Sequence, residues 1–281
     1  MHAAQPHKSP VCFLFDNGSL RPASTLSLRV TARQLASELG VEVYAVSLLH
    51  SSTIDPAGLG GQPAQLLELA LSAFLERNAS AEVRLLPLFF GPSGALIDYV
   101  PERLEELAKK YPQARLGLAR WLVDPTESDE RVANAIADAV RRVITQDRLR
   151  RPRVVLVDHG SPQRAVTAVR NHLGAQVGRL LGEAVAEVAV ASMEKRPGPD
   201  YAFNDPLLAT QLRTIPFDRG DVVVALQFLS PGRHAGPDGD VARICAEARR
   251  ERPGLRTFIT ETIASDPRVI AVLADRYRAA R

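Results

Sequence analysis

The 281-residue chain is 46% hydrophobic and 24% charged, enough apolar material for one large α/β domain or two ordinary ones. No apolar run reaches the roughly 18 to 20 residues that cross a bilayer, and the polar first nine residues have no apolar centre, so neither a membrane span nor a signal peptide is expected. The formal charge is only +3 and aromatics are 5%; with basic residues scattered rather than striped, nucleic acid is not an expected partner, whereas a polyanionic small molecule suits the arginine content equally well.

Val11 to Phe15 is an apolar run that reads as a strand, followed by Asp16-Asn17-Gly18-Ser19 and a helical pattern from Leu26 to Leu39 that Gly40 ends. Val41 to Leu49 alternates as a second strand. A Gly/Pro-rich loop, Pro56 to Pro63, leads to a helix at about Ala64 to Leu75. Val83 to Phe90 is a third strand, and Ile97, Val100, Leu104 and Leu107 fall on one helical face. Leu116 to Val123 is a fourth strand, and the helix after Asp129 carries Val132, Ile136, Val140 and Ile144. Strands alternating with helices predict a parallel sheet covered on both sides.

The charged segment Asp147 to Arg153 is the natural boundary, and beyond it the order recurs. Asp158-His159-Gly160-Ser161 answers Asp16-Asn17-Gly18-Ser19. Glu187 to Met193 answers Glu42 to Leu48, Val222 to Leu229 answers Val83 to Phe90, and Ser230-Pro231-Gly232 answers Gly91-Pro92-Ser93. Ser265 to Val269 answers Ser128 to Val132. A period of about 140 residues is that of a duplicated domain, far longer than a solenoid repeat. The expected architecture is two tandem α/β domains of the flavodoxin-like kind, residues 1–147 and 148–281, each a four-stranded parallel sheet flanked by helices.

Duplication makes the differences between the halves informative. Val154 to Val157 is an apolar strand that ends in Asp158-His159-Gly160-Ser161 and passes at once into a helix with Val166, Val169, Leu173 and Val177. Such strand-turn-helix units place side chains at the carboxyl edge of a sheet, where ligands bind. His159 follows the first strand of the second half, Glu194 ends its second strand, and His234 follows its third. The matching first-half positions hold Asn17, Leu49 and Ala95, with His50 one place beyond Leu49. Two imidazoles and a carboxylate can ligate a first-row divalent metal or remove protons near neutral pH. Arg164, Lys195, Arg196 and Arg233 flank them, as a solvated rim or as a clamp for carboxylates. His172 lies in a helix, and His2 and His7 lie in the N-terminal tail; none of the three is given a role.

Several chemistries lack their motifs. Ser161 beside His159 has no Gly-x-Ser-x-Gly context, and neither phosphate-binding glycine motif occurs. Cys12 and Cys245 have no ligand spacing and read as buried reduced thiols of a cytoplasmic protein.

The His159-Gly160-Ser161 turn, the Glu194 strand end and Phe228-Leu229-Ser230-Pro231-Gly232-Arg233-His234 resemble the CbiX-type sirohydrochlorin chelatases, class II chelatases that put a divalent metal into a tetrapyrrole on the cobalamin or siroheme path. The resemblance is close in the second half and holds in outline in the first, as in the long, duplicated form of that family. It implies that His159 and His234 serve as metal ligands and proton acceptors at a cleft between the domains, with Glu194 as helper. It further implies a tetrapyrrole substrate, which Arg233, Arg164, Lys195 and Ser161, by their places beside these groups, are expected to meet. No organic cofactor is implied, because Co2+, Fe2+ or Ni2+ is itself a substrate. Asp158 departs from the glycine the family often has before His-Gly-Ser, and Lys195-Arg196 departs from the acidic or apolar residues common after the glutamate. A non-catalytic metal or tetrapyrrole carrier is the competing expectation. Oligomeric state is left open.

Overall fold

The computed structural model describes residues 10–280; the expectations about the polar first nine residues, His2 and His7 included, lie outside the described residues. The first half comprises β1 (Val11–Asp16), α1 (Pro22–Leu39), β2 (Val43–Ser47), α2 (Leu67–Arg77), β3 (Glu82–Pro87), α3 (Val100–Lys110), β4 (Arg115–Leu118) and α4 (Arg131–Gln146). The second comprises β5 (Arg153–Asp158), α5 (Arg164–Leu181), β6 (Glu187–Ser192), α6 (Leu208–Gln211), β7 (Gly220–Leu226), α7 (Asp240–Glu251), β8 (Leu255–Ile259) and α8 (Pro267–Ala279). The sheets are four-stranded, in the orders β2-β1-β3-β4 and β6-β5-β7-β8, and every pairing within them is parallel. Central strands of such sheets are covered on both faces, which is why β1 and β5 are apolar almost throughout.

The registers reproduce the internal repeat. Asp16 pairs with Ser47 as Asp158 pairs with Ser192, and Phe15 pairs with Pro87 as Val157 pairs with Leu226. Element ends differ from the sequence pattern where backbone groups find other partners. Helix α1 starts at Pro22 rather than Leu26, with proline in its first turn. Strand β2 stops at Ser47 because the next two amides, of Leu48 and Leu49, bond to the Asp16 and Asn17 carbonyls in the closing turn. Helix α2 begins at Leu67 because Leu66 still bridges to Ser47. Strand β4 ends at Leu118, and Leu122 and Val123 instead bond to the loop carbonyls of Phe89 and Phe90. The helix over Ile97 opens with a π-turn, Ala95–Tyr99, ahead of Pro101, which lacks an amide to donate.

The last helix of each half lies on the other half. Helix α4 packs on α5 and β7, and α8 packs on α1 and β3. One apolar core therefore runs between the sheets, with Leu28 and Leu35 of α1, Ile136 and Val140 of α4, Val169 and Leu173 of α5, and Val269 and Leu273 of α8. Separate outer cores cover the far faces of the two sheets. Between the exchanged helices the ion pairs are reciprocal: Arg131 to Asp275 at 2.7 Å and Arg268 to Asp138 at 2.6 Å, with matched positions of the repeat swapping roles about a pseudo-two-fold axis. Such half-exposed pairs contribute under about 1 kcal/mol each, whereas each buried Leu, Ile or Val contributes on the order of 2 kcal/mol. The apolar exchange therefore holds the halves together. No helix among the described residues is long and apolar enough to cross a membrane.

Residues 1–147 and 148–281 expressed separately should thus each lack the helix that covers their sheet, yet copurify as a stable pair when coexpressed. Two fragments that each run as folded monomers on size exclusion and ignore one another would contradict the exchange.

Candidate functional site

The site grows from a backbone contact. Gly160 has φ of 90°, and a Cβ added there would sit 1.9 Å from the Glu194 carbonyl oxygen. Only glycine satisfies both the left-handed backbone and this approach. Around the contact, the Met193 amide donates to the Asp158 carbonyl at 2.8 Å and the Glu194 amide to the His159 carbonyl at 3.1 Å. The turn after β5 and the end of β6 are thereby zipped together, which puts His159 Nε2 3.4 Å from Glu194 Oε1. His159 Nδ1 lies 3.0 Å from the Gly160 carbonyl, which can only accept. Both ring nitrogens thus face acceptors, and in the tautomer that donates from Nδ1 across this shorter contact, Nε2 offers its lone pair beside the carboxylate. Two such donors side by side suit a cation.

His234 arrives from the adjacent strand. The loop after β7 folds back on itself: Asp240 and Val241 donate their amides to the Arg233 and His234 carbonyls, each at 3.2 Å. Gly239 packs so closely that a Cβ would lie 2.6 Å from the His234 oxygen. The His234 and His159 rings meet edge to face, with centroids 4.7 Å apart and planes at 72°. His234 Nδ1 contacts the Asp240 carboxylate at 2.6 Å, so Nδ1–H is the donor and Nε2 is the free nitrogen. Burial, followed by the neighbouring His159, pushes the His234 imidazole below its ordinary range, with Glu194 opposing. Strands β5 and β7 are neighbours at the point where the sheet order reverses, the position at which doubly wound sheets bind ligands.

Beneath the turn lies a buried polar network. Ser192 Oγ donates to Asp158 Oδ1 at 2.6 Å. Arg170, 1% exposed, donates to Ser192 Oγ at 2.6 Å and to the Asn204 carbonyl at 2.8 Å. The Asn204 side chain accepts from the Ser161 amide at 3.0 Å and donates to the Ser161 carbonyl at 2.9 Å. Thr167 Oγ1 completes it. Burial pushes the Asp158 carboxyl up, and Ser192 and Arg170 oppose that shift. Asp158, where the sequence departs from the family pattern, and Asn204, from the loop after β6, thus belong to one device that fixes the His159 turn.

The first half keeps the shell of this arrangement without its cation. Gly18, φ 86°, approaches the Leu49 carbonyl as Gly160 approaches Glu194, but the register-matched position of Arg170 is Leu28. Asp16 is left with the Gly18 amide at 3.0 Å and Ser47 for support, and burial pushes its carboxyl up to about 6. Asp16, Asn17, Ser19, Arg21 and His50 form one wall of a cleft of about 940 Å³, and His159, His234, Arg233 and Arg243 stand on the other.

Of the residues the sequence singled out, His159, His234 and Arg233 line this cleft, and Glu194 touches His159. Arg164 stacks on the Phe203 ring with its guanidinium 4.5 Å from the centroid. Lys195 is held by Asp205 at 2.6 Å, and Ser161 Oγ accepts from the Gln163 amide. Among the described residues no group of three His, Cys, Asp or Glu side chains is arranged to hold a metal ion by itself. The site is an imidazole pair with one flanking carboxylate. Asp240, Arg170, Asn204, Arg21 and Arg243 carried no sequence signal beyond their helix or loop positions.

Residues 153–280 match the CbiX family model. No curated protein sequence matches the chain significantly. Among solved structures, the chain is similar to SirB from Bacillus subtilis with Fe3+, at 17% identity and a TM-score of 0.66 over 96% of this chain and 94% of that one. It is likewise similar to the sirohydrochlorin chelatase SirB from Bacillus subtilis subspecies spizizenii in complex with cobalt, at 15% identity and a TM-score of 0.67, with the same coverage. CbiX, described as the terminal enzyme for biosynthesis of siroheme in denitrifying bacteria, aligns at 16% identity and 0.59 over 96% of this chain and 98% of that one. At these identities the likeness establishes a shared fold.

Replacing Arg170 by leucine, as at position 28, should strand Asp158 and the Asn204 carbonyl in the interior. The expected loss is about 3 to 5 kcal/mol, the scale for removing one member of a buried charged pair. Urea unfolding measures it, and a loss under about 1 kcal/mol would show that the network is not structural. For Asp16 the folded carboxyl titrates above its unfolded value, so its contribution is complete below about pH 4 and is lost as pH rises through about 6. Asp16→Asn should therefore raise the melting temperature at pH 8 and leave it nearly unchanged at pH 4.

Proposed function

We propose, on the premise that residues 153–280 form a CbiX-family domain, that the chain is a chelatase inserting Co2+ or Fe2+ into sirohydrochlorin or a related tetrapyrrole, with Ni2+ a further candidate ion. The observation that carries this is the His159–His234 ring pair at the sheet switch point, opening into a cleft walled by both halves. In this reading residues 148–281 are the domain that carries the active site and residues 1–147 a domain of the same kind whose site has degenerated. The fold matches that of solved structures holding Fe3+ and cobalt, which supports a first-row transition-metal ion as substrate.

The chemistry follows from the donors. Metal insertion removes two pyrrole N–H protons while the cation sheds water and passes to the ring nitrogens. The imidazole pair of His159 and His234 meets the ion through borderline nitrogen donors, with the Glu194 carboxylate 3.4 Å from His159 Nε2 adding negative charge; such donors bind first-row divalent ions without the grip of thiolates. Asp240 fixes the His234 tautomer, so that its free nitrogen is always the one on the cleft side. Arg233, exposed on the same wall, meets the acidic periphery of the macrocycle, while Arg243 is paired to the Asp240 carboxylate that holds His234. Cys12 and Cys245, both free and buried, fit a protein working in the cytoplasm.

The test is the absorbance change of sirohydrochlorin on addition of Co2+ to the purified protein. His159→Ala and His234→Ala should each remove most turnover, and the double variant should be little worse than either, because groups acting as one unit do not contribute separately. Burial, followed by the neighbouring His159, holds His234 below the ordinary imidazole range, so the acid limb of turnover should lie below the pH at which a free imidazole protonates, as protonation removes the ligand. Tight binding of metal and tetrapyrrole without turnover would leave a carrier in place of an enzyme.

A further inference from the structure

The first-half wall of the cleft contains an imidazole that neither the repeat nor the metal pair accounts for. His50 follows β2 and Leu49, lines the same cleft as His159 and His234, and is exposed. Its backbone sits at φ 66°, ψ −40°, a region that side chains other than glycine rarely adopt. Two other non-glycine residues share a positive φ, Arg148 and Arg151, and both lie in the segment joining the halves. Strained backbone persists only where its surroundings enforce it. Here the enforcement is visible on both sides. The Leu48 and Leu49 amides are tied to the Asp16 and Asn17 carbonyls at 2.9 and 3.1 Å, Ser51 donates its amide to the Leu49 carbonyl at 2.8 Å, and Ser51 is fully buried. The His50 carbonyl is taken by Thr53 Oγ1 at 3.0 Å. The main chain is pinned at every neighbouring position, and the side chain emerges between the pins.

The proton inventory of the reaction gives such a group a task. Two N–H protons must leave the macrocycle, one pair of electrons staying on each nitrogen to bind the metal. On the second-half wall, with each Nδ1 donating to its acceptor, His159 and His234 each have a single lone-pair nitrogen, Nε2, and that of His159 lies beside the Glu194 carboxylate. A nitrogen that holds the metal cannot take a proton at the same moment. We propose that His50 is the general base on the first-half wall, accepting a proton from a pyrrole N–H on the macrocycle face turned away from the imidazole pair; this rests on the chelatase reading above. The imidazole lone pair forms the new N–H bond, the broken bond's electrons remain on the ring nitrogen, and the imidazolium returns the proton to water through its exposed edge.

His50→Gly suits the test because glycine relieves the positive φ while removing the base and leaving space for a small molecule. With Co2+ and sirohydrochlorin, kcat should fall about 100-fold, KM and Co2+ binding to the protein alone should stay within about two-fold, and added free imidazole should restore at least a tenth of the lost rate. His50→Gly turning over like the unmodified protein, or losing turnover that imidazole does not rescue, would overturn the assignment while leaving the chelatase reading intact. An unmodified protein that inserts no metal would remove both.

Discussion

The Arg170 guanidinium, buried under the His159 turn, is the costliest group in the structure to place and the one on which the site depends. Water is replaced there by Ser192, the Asn204 carbonyl and, more distantly, Asp158 at 3.9 Å. Desolvation of a cation is repaid only when its donors are matched and a carboxylate lies near, and this requirement fixes three separate segments: the end of β5, the end of β6 and the short helical segment Pro199–Asn204. Asn204 then grips the Ser161 backbone from both sides. The imidazole above is held by that grip and by the Gly160–Glu194 contact, and its exposed ring needs no other scaffold.

Comparing the halves shows what such a network is for. Both retain the aspartate, the serine and the close-packed glycine. With Leu28 in place of Arg170, the first half has a turn of the same shape but a carboxyl supported without any cation, by Ser47 and the Gly18 amide, and Asn17 stands where the second half has its histidine. The halves therefore share the shape and differ in the chemistry. The shape belongs to glycine and backbone hydrogen bonds, and the chemistry to a buried charge that must be maintained by several residues at once.

That contrast sets how much could be read from the sequence. His159, His234 and Glu194 were legible because they interrupt an internal repeat at strand ends, where a parallel sheet gathers ligands. Arg170 was not, because one arginine on an amphipathic helix is indistinguishable by pattern from a rim residue until the fold turns it inward. Asp240 reads only as an acidic residue opening α7, and its partnership with His234 depends on how the intervening loop folds back. Arg164 and Lys195 looked like clamp residues by proximity in sequence, yet their charges are engaged by Phe203 and Asp205. The strands and helices followed from apolar periodicity. The exchange of α4 and α8 did not, since an apolar stripe states that a helix is covered and is silent about which sheet covers it.

The exchanged helices bear finally on how the cleft can move. Two domains joined by one strap open like a book about that strap, but here the strap at residues 147–152 is bypassed on both sides. Parting the sheets would pull α4 from β7 and α8 from β3 together, exposing the shared core. The cleft is thus closer to a slot in a single block than to a pair of jaws. The width of the cleft is therefore set by helix packing, and only the loops that line it are free to adjust it.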